Sequence, residues 1–160
     1  MTVEQIASHL DQFRERQERL ASEERARQER EEALFREAAE KCGNILRTVV
    51  EPLLEKLSAT LTNYGHANLI HPTQETEQIT ERTKLRTVEY ATALAVEREK
   101  GQMILRVVAS PRTMRVSSTI GVPHGNFSSV FHAGEGPLTE AEDVTNRGIV
   151  DFMAAAFPLR

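Results

Sequence analysis

Five histidines and a single cysteine are the residues in this chain best suited to holding a metal or starting nucleophilic chemistry. A zinc site needs about four N, S or O ligands that converge, usually at tight local spacing. No CxxC, HxH or HExxH pattern occurs. His66 and His71 are an odd number of residues apart, so on one strand they face opposite sides. They flank one apolar run and His124 and His132 bracket another, positions that suit turns and strand ends. Cys42 falls on the apolar stripe of a predicted helix, where a thiol packs as a small hydrophobe and is not activated as a nucleophile.

Two glycine-rich segments invite a phosphate reading: Gly121-Val122-Pro123-His124-Gly125-Asn126 and Gly134-Glu135-Gly136-Pro137. Neither has the GxGxxG spacing nor the Lys-Ser/Thr pair that cradles phosphates. Glu140, Glu142 and Asp143 place carboxylates at the helix start that follows, where a bound anion would need donors. The carboxylate pairs Glu23–Glu24 and Glu31–Glu32 resemble an acid/base couple only in type. Acid catalysis needs desolvation to move a pKa, and these pairs sit in the most charged part of the chain. The sequence therefore predicts no catalytic residue, no cofactor and no metal, and the chain reads as a non-enzyme.

The elements behind these residues divide sharply by charge. Between Arg14 and Glu32, 13 of 19 residues are charged, whereas Met103 to Phe131 carries only Arg106, Arg112 and Arg115. From Thr2 to Lys41 there is neither Gly nor Pro, and Glu, Arg, Gln and Ala, all good helix formers, dominate. Pairs at i,i+4 (Glu15–Arg19, Glu23–Arg27, Glu32–Arg36, Glu37–Lys41) support a helix whose length at about 1.5 Å per residue approaches roughly 60 Å. Its stripe starts with Val3, Ile6, Leu10, Phe13 and Leu20 in 3-4 register, with Gln17 between the last two. The frame then meets Glu24, Arg27 and Glu31. It returns at Leu34, Ala38, Cys42, Ile45 or Leu46, Val49, Leu53, Leu57 and Leu61. A break is expected near Cys42-Gly43-Asn44, then a core helix over 45–64, kinked at Pro52 and closed by Gly65.

Strands follow. His66 to His71 is short and ends at Pro72; Thr73 to Lys84 is polar and reads as a hairpin tip or loop. Val88, Tyr90, Thr92, Leu94 and Val96 alternate as in a half-buried strand. Met103–Ala109 and Met114–Ile120 form a hairpin, Gly121–Gly125 a loop, and Phe127–His132 a last strand. Thr139-Glu140-Ala141-Glu142 reads as a capping box for a helix with Val144, Gly148, Ile149, Phe152, Ala156 and Phe157 on one face. The fold class is α+β: a long charged, coiled-coil-like helix, a core helix, an antiparallel meander of four to five strands and a C-terminal helix. Residues 1–42 form an extended oligomerisation segment and 43–160 a compact domain.

Function is expected from surfaces. A helix with Val3, Ile6, Leu10, Phe13 and Leu20 in register has nothing on its own chain to cover that seam, so the prediction is a homo-oligomer, as a homodimer, acting as an interaction or scaffold protein toward a protein partner. The other reading is a small-molecule binding domain with a pocket between the sheet and helix 45–64, lined by Tyr90, Leu94, Leu105 and Val107. The net charge of −4 gives no basic face for nucleic acid. Glu4, Asp11, Glu15 and Glu18 oppose an anionic membrane surface, and no apolar run approaches the ~18 residues of a membrane span. The lone cysteine and an N-terminus without a basic and apolar leader suit the cytoplasm.

Overall fold

The computed structural model describes residues 2–80, 85–124 and 127–159. The chain forms two compact units, Met1–Glu37 and Ala38–Arg160. Helix α1 runs Val3–Ile45, a π-helical turn covers Leu46–Val50, and helix α2 runs Glu51–Asn63. All residues from 2 to 37 are exposed. The helix starts with a capping box: the Gln5 backbone N–H donates to Thr2 Oγ1 (3.3 Å), and the Thr2 backbone N–H donates to Gln5 Oε1 (2.8 Å). Along this segment Arg27 forks between Glu24 (2.5 Å) and Glu31 (3.1 Å) and not toward Glu23, the i,i+4 partner expected.

The second unit begins where the helix gains a buried face. Ala39, Cys42, Leu46, Val50, Leu54, Leu57 and Leu61 are buried. Two expectations change here. The break near Gly43 does not occur; Gly43 is helical and buried. The irregularity lies at Leu46–Val50, where the Glu51 N–H donates to Leu46 O, five residues back. Pro52 explains its place. An α-helical Pro52 would lack the N–H owed to Thr48 O and clash with that carbonyl, and the widened turn sets Pro52 in the first turn of α2, where no donor is needed.

The same turn reassigns the buried stripe. Four-residue steps from Cys42 to Leu46, Val50 and Leu54 would each drift about 40° around an ideal α-helix, and the wider π turn offsets that drift. Leu54 thus takes the core position expected for Leu53, which is only partly buried, as is Val49. Leu34, expected to restart the stripe, is 66% exposed. Helix α2 ends as predicted at Gly65 (φ +83°), with His66 N–H donating to Leu61 O and Gly65 N–H to Thr62 O, the Schellman pattern.

Five antiparallel strands follow as a meander in the order β1-β2-β3-β4-β5: Asn68–Thr80, Leu85–Val96, Met103–Ser110, Arg115–His124 and Phe127–Pro137. The strand continues past Pro72, where a loop was expected, and residues 81–84 of that expected loop lie outside the described residues. A bulge between His71 and Gln74 absorbs the proline, which has no donor for the ladder. The freed Thr73 N–H and Oγ1 both donate to Glu51 Oε1 of α2 at 2.6 Å, so the carboxylate pins the bulge. Likewise β4 runs through Gly121–His124, expected as loop, with Gly125 and Asn126 outside the described residues. Strand β5 extends through the glycines to Pro137, with a bulge at Ala133.

One sheet face carries the core. Leu94, Val96, Met103, Leu105, Val107, Ala109, Val116 and Ile120 pack with the α2 stripe and with helix α3, Ala141–Ala156. The expected capping box at Thr139–Glu142 is absent: Thr139 lies inside a 3-10 turn, Leu138–Glu140, and no side chain caps α3. Buried Leu138 anchors that turn instead, its N–H donating to Met114 O (2.9 Å). At Gly148 helix and sheet meet closely, since a Cβ there would lie 2.7 Å from Ser118 Oγ and 2.8 Å from Ser118 Cβ.

Candidate functional site

The expected oligomer seam is exposed throughout. Val3 is 82% exposed, Ile6 44%, Leu10 58%, Phe13 56% and Leu20 52%. The 3-4 register places them along one stripe of α1, among side chains that are themselves in water.

The four residues expected to line a pocket occupy the core face. Leu94, Leu105 and Val107 have no exposed surface. Leu94 lies opposite Leu105 in the β2–β3 ladder, and all three pack in the cluster that includes Leu46, Leu54 and Phe152. Tyr90 packs at the margin of this cluster. Burial pushes its hydroxyl pKa up, and Glu75, directly opposite on β1, adds to the shift.

The chemically interesting side chains are dispersed. Cys42 is fully buried, and desolvation pushes its thiol pKa up, away from a reactive thiolate. His66 stacks on Phe157 (centroids 4.4 Å apart, planes at 48°) in a cleft of about 790 Å³. His132 Nε2 lies 3.7 Å from Glu135 Oε2. The His71 carbonyl accepts the hydroxyl of buried Thr92 (2.9 Å). Among the described residues no group of three or more His, Cys, Asp or Glu could share a metal ion, and no helix is long and apolar enough to cross a membrane.

The second face of the sheet holds what the sequence reading missed. Register aligns three rows across the five strands. The first is Leu69, Ala95, Ile104, Gly121 and Val130. The second is His71, Ala93, Arg106, Thr119 and His132. The third is Gln74, Ala91, Val108, Ser117 and Glu135. A groove of about 380 Å³ runs over the middle strands, lined by Glu89, Ile104, Arg106, Val108, Ser117, Thr119, Gly121 and Val130. Leu69 and Val130 stay 60% and 61% exposed. Arg106 stands at the groove's centre between Ala93 and Thr119, too short to reach past it, and has no hydrogen bond or ion pair among the described residues. The signal was available: Arg106 is the one charge within a strand whose other residues from Met103 to Ala109 are apolar. No family model, curated protein or solved structure matches this chain.

Proposed function

We propose that this chain is a non-enzymatic interaction protein that self-associates, as a homodimer, through a coiled-coil-like pairing of its N-terminal helix, and so presents its α+β domain to a protein partner. One observation carries the reading: five apolar side chains in 3-4 register are each at least 44% exposed. A second copy of the same stripe is its nearest complement, since two-fold pairing sets each residue against an equivalent one. The candidate nucleophile Cys42 is packed away, and the carboxylates Glu23, Glu24, Glu31 and Glu32 stand in water, which supports an interaction role over catalysis. The single cysteine supports a cytoplasmic site of action.

A seam of about two and a half heptads is marginal by itself, so the association is concentration-dependent. Sedimentation of the full chain across the micromolar range tests it beside Leu10→Glu/Phe13→Glu. We expect a dimer that the double substitution converts to monomer, with the two melts coinciding at concentrations too dilute for association. A full-length monomer at every concentration ends the proposal; an undiminished dimer in the double variant moves the interface off the helix.

A further inference from the structure

We propose that the outer face of the sheet is a binding site for an amphipathic carboxylate, its acid group held by Arg106 and Thr119 and its hydrocarbon laid along Ile104, Gly121 and Val130. This is independent of self-association through the helix. Arg106 is partly buried in a strand otherwise apolar over Met103–Ala109, with Ile104 and Val108 beside it on the same face. Taking a cation partly out of water costs free energy unless an anion or acceptors compensate, and among the described residues none does. Its row supplies small neighbours, Ala93 and Thr119, so an incoming group can approach the fork from above. A carboxylate matches that fork in plane and spacing, and Thr119, whose Cα stands about 5 Å across the ladder, adds a hydroxyl donor.

The rows fix the direction of the ligand. On one side of Arg106 lies the apolar row, where Gly121 leaves room between Ile104 and exposed Val130. On the other side, Glu89 closes the groove four residues along β2 from Ala93, about 13 Å away at the strand rise. A carboxylate at Arg106 therefore sends its tail toward Ile104 and Val130 and away from the Glu89 charge. His132 flanks the Arg106 row at its edge but already faces Glu135, while His71 flanks the other edge. A groove of about 380 Å³ suits a small ligand. A face-to-face pair of copies with its two-fold axis on the Arg106 row is disfavoured, because it would bring like charges together.

Decanoate below its micelle concentration is the probe, with decanol, decyltrimethylammonium and acetate as comparisons, titrated into the full chain and followed by calorimetry and by the rise in melting temperature. Decanoate is expected to bind. Arg106→Gln should weaken it about tenfold or more, and Gly121→Val, which fills the groove and suits a strand, should abolish binding with the fold intact. Acetate, decanol and the cationic amphiphile should each bind at least about tenfold more weakly. Equal binding by Arg106→Gln, or by any of the three comparison compounds, overturns the proposal. So does loss of binding in Leu10→Glu/Phe13→Glu, which would place the tail on the helix seam. A shift in sedimentation of Arg106→Gln without ligand would assign the face to a second copy and overturn it as well.

Discussion

The two stretches of helix on either side of Glu37 share a conformation, yet they differ in what their periodicity accomplishes. Over residues 2–37 every side chain is exposed, the apolar ones included. Over residues 39–61 an apolar residue is buried every three or four positions. The first stretch is helical because Ala, Glu, Gln and Arg favour it, the Thr2–Gln5 box satisfies its first donors, and charges pair along its surface. The second tolerates a glycine, two β-branched valines, a π turn and a proline, all poor for an isolated helix. It persists because Leu46, Val50, Leu54 and Leu61 are shielded by sheet and α3. Propensity carries one half and tertiary burial the other.

That contrast breaks most visibly in a paired substitution. Leu54→Ala should lower unfolding free energy by about 2–5 kcal/mol, the range for emptying a buried leucine site. Leu20→Ala, measured by chemical denaturation at a concentration too dilute for association, should change it by less than about 0.5 kcal/mol. Similar losses at both positions would show that residues before 38 contribute to the folded core.

A smaller effect tests how tightly the domain closes. Gly148→Ala normally gains helix propensity, about 1 kcal/mol. Here the new methyl meets Ser118 Cβ at 2.8 Å, a backbone-anchored atom that cannot swing aside. A net destabilisation of about 1–3 kcal/mol is expected from overpacking, read as a lower denaturant midpoint at unchanged slope. A stabilised Gly148→Ala would mean that α3 sits farther from β4 than described.

The smallest effect belongs to the solvated stretch. The side-chain hydrogen bond from Arg27 lowers the Glu24 carboxyl pKa below its ordinary 4.5, against an opposing desolvation. A lowered pKa favours the folded state above the ordinary carboxylate range and loses that contribution as pH falls through the lowered value. Solvent screens the pair, so Arg27→Gln should raise the Glu24 titration, followed by carboxyl carbon NMR, while leaving the melting midpoint unmoved. An unshifted Glu24 in the parent chain would remove the pair from the description.

Much of this architecture is written in local pattern. The absence of Gly and Pro before Lys41 specifies a helix, alternation from Tyr90 to Val96 and Met103 to Ala109 specifies strands, and Gly65 specifies where α2 stops. These follow from backbone preference and period, which a residue and its near neighbours determine. The sequence was misleading wherever a distant partner supplied the compensation. Pro72 looks like a strand end until Glu51, 22 residues earlier than Thr73, accepts the N–H that the bulge releases. Thr139-x-x-Glu142 and Thr2-x-x-Gln5 carry the same capping signature, but only the second forms, because the burial of Leu138 sets the entry to α3.

The apolar stripe on α1 was legible, since a stripe needs only its own helix to align it. The outer-face rows were not, since His71, Arg106, Thr119 and His132 come together only through the register of four strand pairs. Sequence by itself determined the elements and the apolar stripe, because both depend on spacing along one segment. Tertiary structure alone decided that Leu54 rather than Leu53 enters the core, that β1 continues beyond Pro72, and that Arg106 lines a groove with no partner among the described residues. Those outcomes turn on one helical turn's winding and on which strand lies beside which, quantities set by packing over the whole domain.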